Sequence, residues 1–115
     1  MPISEPFTAG DIVVLPFPYT DRLAEKRRPA LVISNTKLAR FGVVWVAMIT
    51  SAENEPWACD IEIVDLQRAG LPIQSVVRPA KVACIDPGRI LRRAGRLDRT
   101  TARTVSETVR HFLPN

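Results

Sequence analysis

Four side chains in this sequence sit where the chain changes character, and together they could act on a phosphodiester: Glu25, Arg28, Thr50 and Ser51. Arg28 closes the run Lys26-Arg27-Arg28 and is followed by Pro29, after which the apolar residues Ala30-Leu31-Val32-Ile33 begin. Proline fixes its own φ and drives the residue before it into an extended conformation, so Arg28 is expected at the mouth of a strand in a defined geometry. A guanidinium held there can clamp phosphate oxygens bidentately, which the point charge of a lysine cannot do. Thr50 can donate a hydrogen bond to a phosphoryl oxygen, and Ser51 follows it. RNA supplies its own nucleophile, since the 2′-hydroxyl can attack the adjacent phosphate; the protein need only position the backbone, stabilise charge and assist proton transfer. An arginine pKa above about 12 suits charge stabilisation better than proton donation. Glu25, flanked by Lys26 and Arg27, is the nearest candidate base. Taken alone, Lys26 to Arg28 reads equally well as a solvated basic loop ahead of a core strand.

The elements that must position these groups follow from local pattern. Ile12-Val13-Val14-Leu15 is short and β-branched, which predicts a strand, and Pro16 and Pro18 break its ladder. Phe17, between those prolines, is either a core ring or an exposed stacking platform for a base. Residues 20–28 lack apolar periodicity and form a loop. Val43 to Ile49 is a continuous apolar run and predicts the central strand, which ends at Thr50-Ser51. Asp60 to Val64 alternates polar and apolar, as a half-buried strand does. Asp65 to Pro72 reads as one helical turn stopped by Gly70. Val76 to Ile85 is a further strand, interrupted by a second Arg-Pro pair, Arg78-Pro79. Strict alternation separates Arg78 from Lys81 unless a bulge at Pro79 shifts the register. Six arginines lie between Arg89 and Arg103, with a weak strand expected over residues 90–97. Asp98 is a candidate N-cap for a terminal helix whose apolar face would carry Ala102, Val105, Val109, Phe112 and Leu113, with Pro114 ending it. Five to six short strands and one carboxyl-terminal helix make a small, mostly-β, barrel-like α+β domain spanning residues 1–115.

Composition narrows the function classes. Sixteen Lys and Arg against 12 Asp and Glu give a net charge of +4 and a pI near 9.7, a balance that favours an anionic partner. No apolar run approaches the roughly 20 residues of a membrane span, and residues 1–10 lack a signal-peptide pattern, so a cytoplasmic protein is expected. Cys59 and Cys84 have neither CxxC nor His spacing, so they are expected as reduced thiols packed in the core, with no zinc site. The single histidine, His111, falls in the last helical turn, where an imidazolium complements the helix dipole. H-E-x-x-H, Walker, G-x-S-x-G and clustered-Asp patterns are all missing, so no cofactor or metal is expected.

Taken in order, GDIVVLPFPYTD, RRPALVIS, AMITS, SVVRPAKVACID and RRAGRL resemble the MazF/PemK family of toxin endoribonucleases. The likeness runs from about Gly10 to Leu97, and the motifs are specific jointly rather than singly. It implies an SH3-like barrel, a homodimer, metal-independent cleavage of single-stranded RNA at short sequences, and neutralisation by a cognate antitoxin. By this resemblance Arg28 and Thr50 match the family's catalytic arginine and threonine. The loop Ala24-Glu25-Lys26-Arg27 departs from the Gly-rich sequence of many members, which leaves Glu25 this chain's own candidate base. Phe17, Lys26, Arg27, Ser51, Arg78 and Lys81 are the expected RNA contacts. Two other readings fit the same barrel: a non-enzymatic toxin that inhibits a protein such as a topoisomerase, and a nucleic-acid-binding module without cleavage.

Overall fold

The β-branched runs beginning near Ile12, Leu31, Val43 and Val76 are all strands in the computed structural model, which describes residues 6–16 and 26–115. In chain order the elements are β1 (Asp11–Pro16), β2 (Arg27–Val32), β3 (Val44–Ser51), β4 (Ile61–Glu62), α1 (Leu66–Ala69), β5 (Ser75–Ile85), β6 (Arg92–Arg96) and α2 (Arg99–His111). Short 3-10 turns at Thr36–Phe41 and Pro87–Arg89 connect β2 to β3 and β5 to β6. The strands form one antiparallel sheet of order β4-β5-β3-β2-β1-β6. It curls into a half-barrel, with β3 and β2 at its centre. The mostly-β architecture with a carboxyl-terminal helix is the one the sequence pattern predicts.

Period-two alternation divides the sheet into two apolar faces. One carries Val13, Leu15, Ala30, Val46 and Met48; the other carries Ile12, Leu31, Ala47, Ile49 and Val77. The second face is covered by α2 and α1 through Val105 and Ala69, both fully buried. Burying one such aliphatic side chain contributes about 1.5–3 kcal/mol, so this layer fixes the strand register firmly. Asp98 caps α2 by accepting from the Thr101 amide at 3.0 Å, as its sequence position predicts. The helix closes at His111, one turn earlier than Pro114 implies, and Phe112 and Leu113 are exposed instead of sealing its apolar face.

Two glycines make a backbone-to-backbone contact possible. Gly70 ends α1 with φ at +74°, and a Cβ there would lie 2.0 Å from the Ala94 carbonyl oxygen. A Cβ on Gly95 would lie 2.4 Å from the Arg68 carbonyl oxygen. Only hydrogen fits at either position, so α1 rests directly on β6. Strand β4 is shorter than the Asp60–Val64 alternation suggests, pairing only Ile61 and Glu62 with β5. Cys84 is exposed, a correction to its expected place in the core, because it shares the poorly covered end of the second face with Trp45, its cross-strand partner.

Candidate active site

The two Arg-Pro pairs interrupt the sheet on either side of the end of β3. The β2–β3 ladder runs through Ala30–Val32 against Val46–Met48 and, at its other end, stops short of Pro29, which has no N–H to donate. Continued by two residues, the same register sets Arg28 against Thr50. Arg28 also stands opposite Leu15 of β1, and Thr50 opposite Val76 of β5. Leu15 and Arg28 on one side of the gap, and Thr50, Val76 and Glu62 on the other, all lie on the first face of the sheet. Of the candidate residues, Arg28 and Thr50 lie on the same face of neighbouring strands, just beyond the end of the β2–β3 ladder.

Their polar atoms are suited to an anion. Arg28 is half-buried, and its Nε is a buried donor with no acceptor among the described residues. A buried unpaired donor is costly, and a phosphate oxygen would relieve it. Thr50 is 5% exposed, and its Oγ1 accepts a hydrogen bond from Asn54 Nδ2 at 2.5 Å. That bond occupies an acceptor lone pair and leaves the hydroxyl proton free to be donated. Glu62, on the same face, is exposed and accepts from Gln74 Nε2 at 2.9 Å; its alternating strand gave no hint of this placement.

On β5 the register jumps from Ala47↔Val82 to Met48↔Arg78, so Pro79, Ala80 and Lys81 bulge out of the ladder. Three extra residues invert the alternation, and counting back from Ala83 returns Lys81 to the face that carries Arg78. Arg78 itself is only 7% exposed. Its Nε and Nη2 donate to Asp60 Oδ1 and Oδ2, each at 2.9 Å, and Nη2 also donates to the Glu55 carbonyl at 3.0 Å. The guanidinium lies over the Trp57 ring, 4.4 Å from its centroid. Arg78 thereby fastens the 52–60 loop to the sheet beside Thr50. Hydrogen bonding from Arg78 holds the Asp60 carboxyl below its ordinary range despite its burial, and the same bond raises the Arg78 pKa further.

Other candidates lie elsewhere. Ser51 is on the opposite face, and its Oγ accepts from the Glu53 amide at 3.1 Å, forming the turn that starts the loop. Lys26 and Arg27 are exposed; Arg27 lies on the face opposite Arg28 and, with Arg92, rims a groove of about 490 Å³ floored by Val14, Pro29 and Leu71. Phe17 and Glu25 lie outside the described residues. Arg93 and Arg96, from the arginine-rich segment, both pair with the buried Asp11, with Arg93 Nη2 at 3.2 Å from Asp11 Oδ2. Sequence reasoning missed Asp60 and Asn54, each fixed by a partner whose proximity only the folded sheet reveals, and Trp57. Among the described residues no three His, Cys, Asp or Glu side chains converge as a metal-holding group, and no helix is long and apolar enough to cross a membrane.

Residues 8–113 match the family model described as PemK-like, MazF-like toxin of type II toxin-antitoxin system. The fold is similar to the Mycobacterium tuberculosis toxin MazF-mt6, with a TM-score of 0.68 at 22% identity over 88% of this chain and 93% of that one. MazF from Deinococcus radiodurans superposes with a TM-score of 0.69 at 22% identity, covering 89% and 91% of the two chains. A mycobacterial endoribonuclease in complex with its cognate antitoxin gives 0.69 at 12% identity, covering 96% and 100%. No curated protein matches the chain in sequence.

Proposed function

Because the chain belongs to the PemK-like, MazF-like toxin family of type II toxin-antitoxin systems, we propose that it is a sequence-specific, metal-independent endoribonuclease that cleaves single-stranded RNA and arrests growth. The observation that supports this reading best is the placement of Arg28 and Thr50 on one face of neighbouring strands where the ladder between them has ended, with Arg28 Nε buried and unpaired among the described residues. A phosphodiester lying along that gap accepts hydrogen bonds from Arg28 and from the Thr50 hydroxyl on its non-bridging oxygens. The 2′-hydroxyl loses its proton to a base, in this reading Glu25, and its oxygen bonds to phosphorus. The P–O5′ bond breaks, leaving a 2′,3′-cyclic phosphate and a 5′-hydroxyl that takes its proton from solvent. Charge accumulates on the phosphoryl oxygens as the 2′-oxygen arrives, and the two donors are aimed where it grows.

Around that centre, Lys26 and Lys81 supply phosphate contacts and Phe17 a stacking surface, while Arg27, on the opposite face, belongs to the groove it shares with Arg92. Ser51 and Arg78 serve the substrate through the loop they hold, their polar atoms being engaged within the protein. A homodimer in the cytoplasm, held in check by a cognate antitoxin, completes the reading. The cationic groove between Arg27 and Arg92 has the charge to receive an acidic antitoxin segment.

The test uses purified protein, cellular RNA and chelator. Wild type should give discrete fragments whose sequenced ends share a motif. Arg28→Ala and Thr50→Ala should each lower the cleavage rate by at least about 100-fold, the scale of losing one donor to a developing oxyanion, with the fold retained. Full activity in both variants overturns the site. Growth arrest with intact RNA would instead favour inhibition of a protein target.

A further inference from the structure

The 52–60 loop carries an aromatic ring that the proposed catalytic steps leave unused. Trp57 is 43% exposed, yet its backbone and one face of its ring are held. Its amide donates to Asp60 Oδ2 at 2.9 Å, and its carbonyl accepts from the Asp60 amide at 3.0 Å. One ring face is occupied by the Arg78 guanidinium, which Asp60 in turn holds bidentately. A large apolar ring, immobilised at the backbone and backed by a cation, has already lost the freedom that a stacking partner would otherwise have to take from it.

Its position follows from the same contacts. Asn54 bonds to Thr50 Oγ1, and three residues of chain cannot carry Trp57 more than about 11 Å from Asn54. Arg78, beneath the ring, faces Met48, the next residue to share Thr50's side of β3. The ring therefore lies within about a nucleotide or two of the phosphate that Thr50 would touch, beyond the β5 side of the gap. The loop and Thr50 are joined through Asn54 and cannot shift independently. A basic chain supplies the phosphate attraction that such a ring needs beside it.

We propose that Trp57 is a specificity-determining stacking platform, its free face receiving a base of the RNA next to the scissile phosphate while Arg78 fixes the other face. The inference rests on the ribonuclease reading for its place in the reaction. Stacking tolerates any base but favours those with larger π-faces, so the platform biases the cleaved sequence at one position without reading base edges. It acts on RNA binding and leaves the chemical step to Arg28 and Thr50.

The experiment has two arms. In the first, cleavage kinetics compare wild type, Trp57→Ala and Trp57→Phe on an RNA containing the mapped site. Trp57→Ala should raise KM by about 5- to 150-fold, the range that loss of one stacked base implies. Its kcat at saturation should stay unchanged, its fragment ends should be more varied at one position, and Trp57→Phe should restore most of the loss. In the second, a Trp45→Phe background makes Trp57 the sole indole, since the chain has 2 tryptophans. Uncleavable 2′-O-methyl single-stranded RNA 12-mers should then quench its fluorescence saturably. Unchanged KM and fragment ends in a Trp57→Ala protein that melts like wild type overturn the platform, as does the absence of quenching. So does a variant that loses affinity only for an antitoxin. If wild type cleaves nothing while quenching persists, the ribonuclease reading fails and the base-binding role of Trp57 stands.

Discussion

Removing the carboxylate of Asp60 should be the most damaging single change to the region around Thr50 short of altering Arg28 or Thr50 themselves. The Asp60 and Arg78 side chains are 9% and 8% exposed, and Arg78 gives Asp60 both Nε and Nη2. In Asp60→Ala the guanidinium stays buried with only the Glu55 carbonyl and the Trp57 ring for company, and the Trp57 amide loses its acceptor. Breaking a buried pair from one side costs about 3–5 kcal/mol. That is a large share of a domain stability of about 5–15 kcal/mol. For a domain of this size it lowers the melting temperature by about 10–20 °C. The double variant Asp60→Ala/Arg78→Met removes the orphaned charge and should be more stable than Asp60→Ala alone, a non-additivity expected only of a coupled pair. Urea unfolding followed by circular dichroism measures all three proteins. The pH dependence adds a second check with a definite sign. The folded pKa of Asp60 lies below its ordinary value of 3.8, so the pair stabilises above that value and the contribution drains away as pH falls through the folded pKa. Wild type and Asp60→Ala should therefore differ fully at pH 5–7 and converge only below about pH 4. A loss under about 1 kcal/mol, a double variant no better than the single, or a gap already closed at pH 5 would refute the reasoning.

Other perturbations follow from contacts described above. Gly95→Ala forces a methyl into the Arg68 and Ala69 backbone and should cost at least about 1–3 kcal/mol in urea unfolding, the scale of overpacking. Asp98→Ala removes the α2 cap and should cost about 1 kcal/mol; because the Thr101 amide holds the Asp98 pKa down, that difference should vanish only as pH falls below the carboxylate range. Arg27→Ala with Arg92→Ala should weaken antitoxin capture and flatten its salt dependence while leaving cleavage intact, measured by titration calorimetry at two ionic strengths; reduced cleavage with normal capture would assign the groove to RNA instead.

Local chemistry was the legible part of this sequence. Asp98 followed by a 3.6-residue period announced a helix start, Gly70 announced the end of α1, and Val43 to Ile49 announced a central strand, because caps, left-handed turns and β-branched runs act over a few residues. Arg28 and Thr50 were legible as chemistry but not as neighbours: their placement on one face of neighbouring strands needs the β2–β3 register, which the two buried faces set together. The role of Arg78 was hidden twice. A three-residue bulge reset its alternation, and its partner Asp60 lies 18 positions away, at the start of an alternating run whose pattern names no partner. Cys84 misled for the opposite reason, since an apolar strand says that one face is buried and not which end of it a helix leaves open.

The edges of the half-barrel give its charge distribution another meaning. An open sheet ends in two strands whose outer amides and carbonyls are unpaired, and such borders template growth onto other chains. Here β4 is only two residues long, and three of the five residues of β6 are arginines. Two identical borders of that kind repel one another on approach. Arg92, with the positive charge left over where Arg93 and Arg96 share the single Asp11 carboxylate, lines this border with like charge that opposes sheet-to-sheet growth, a colloidal effect that holds from the moment the chain folds.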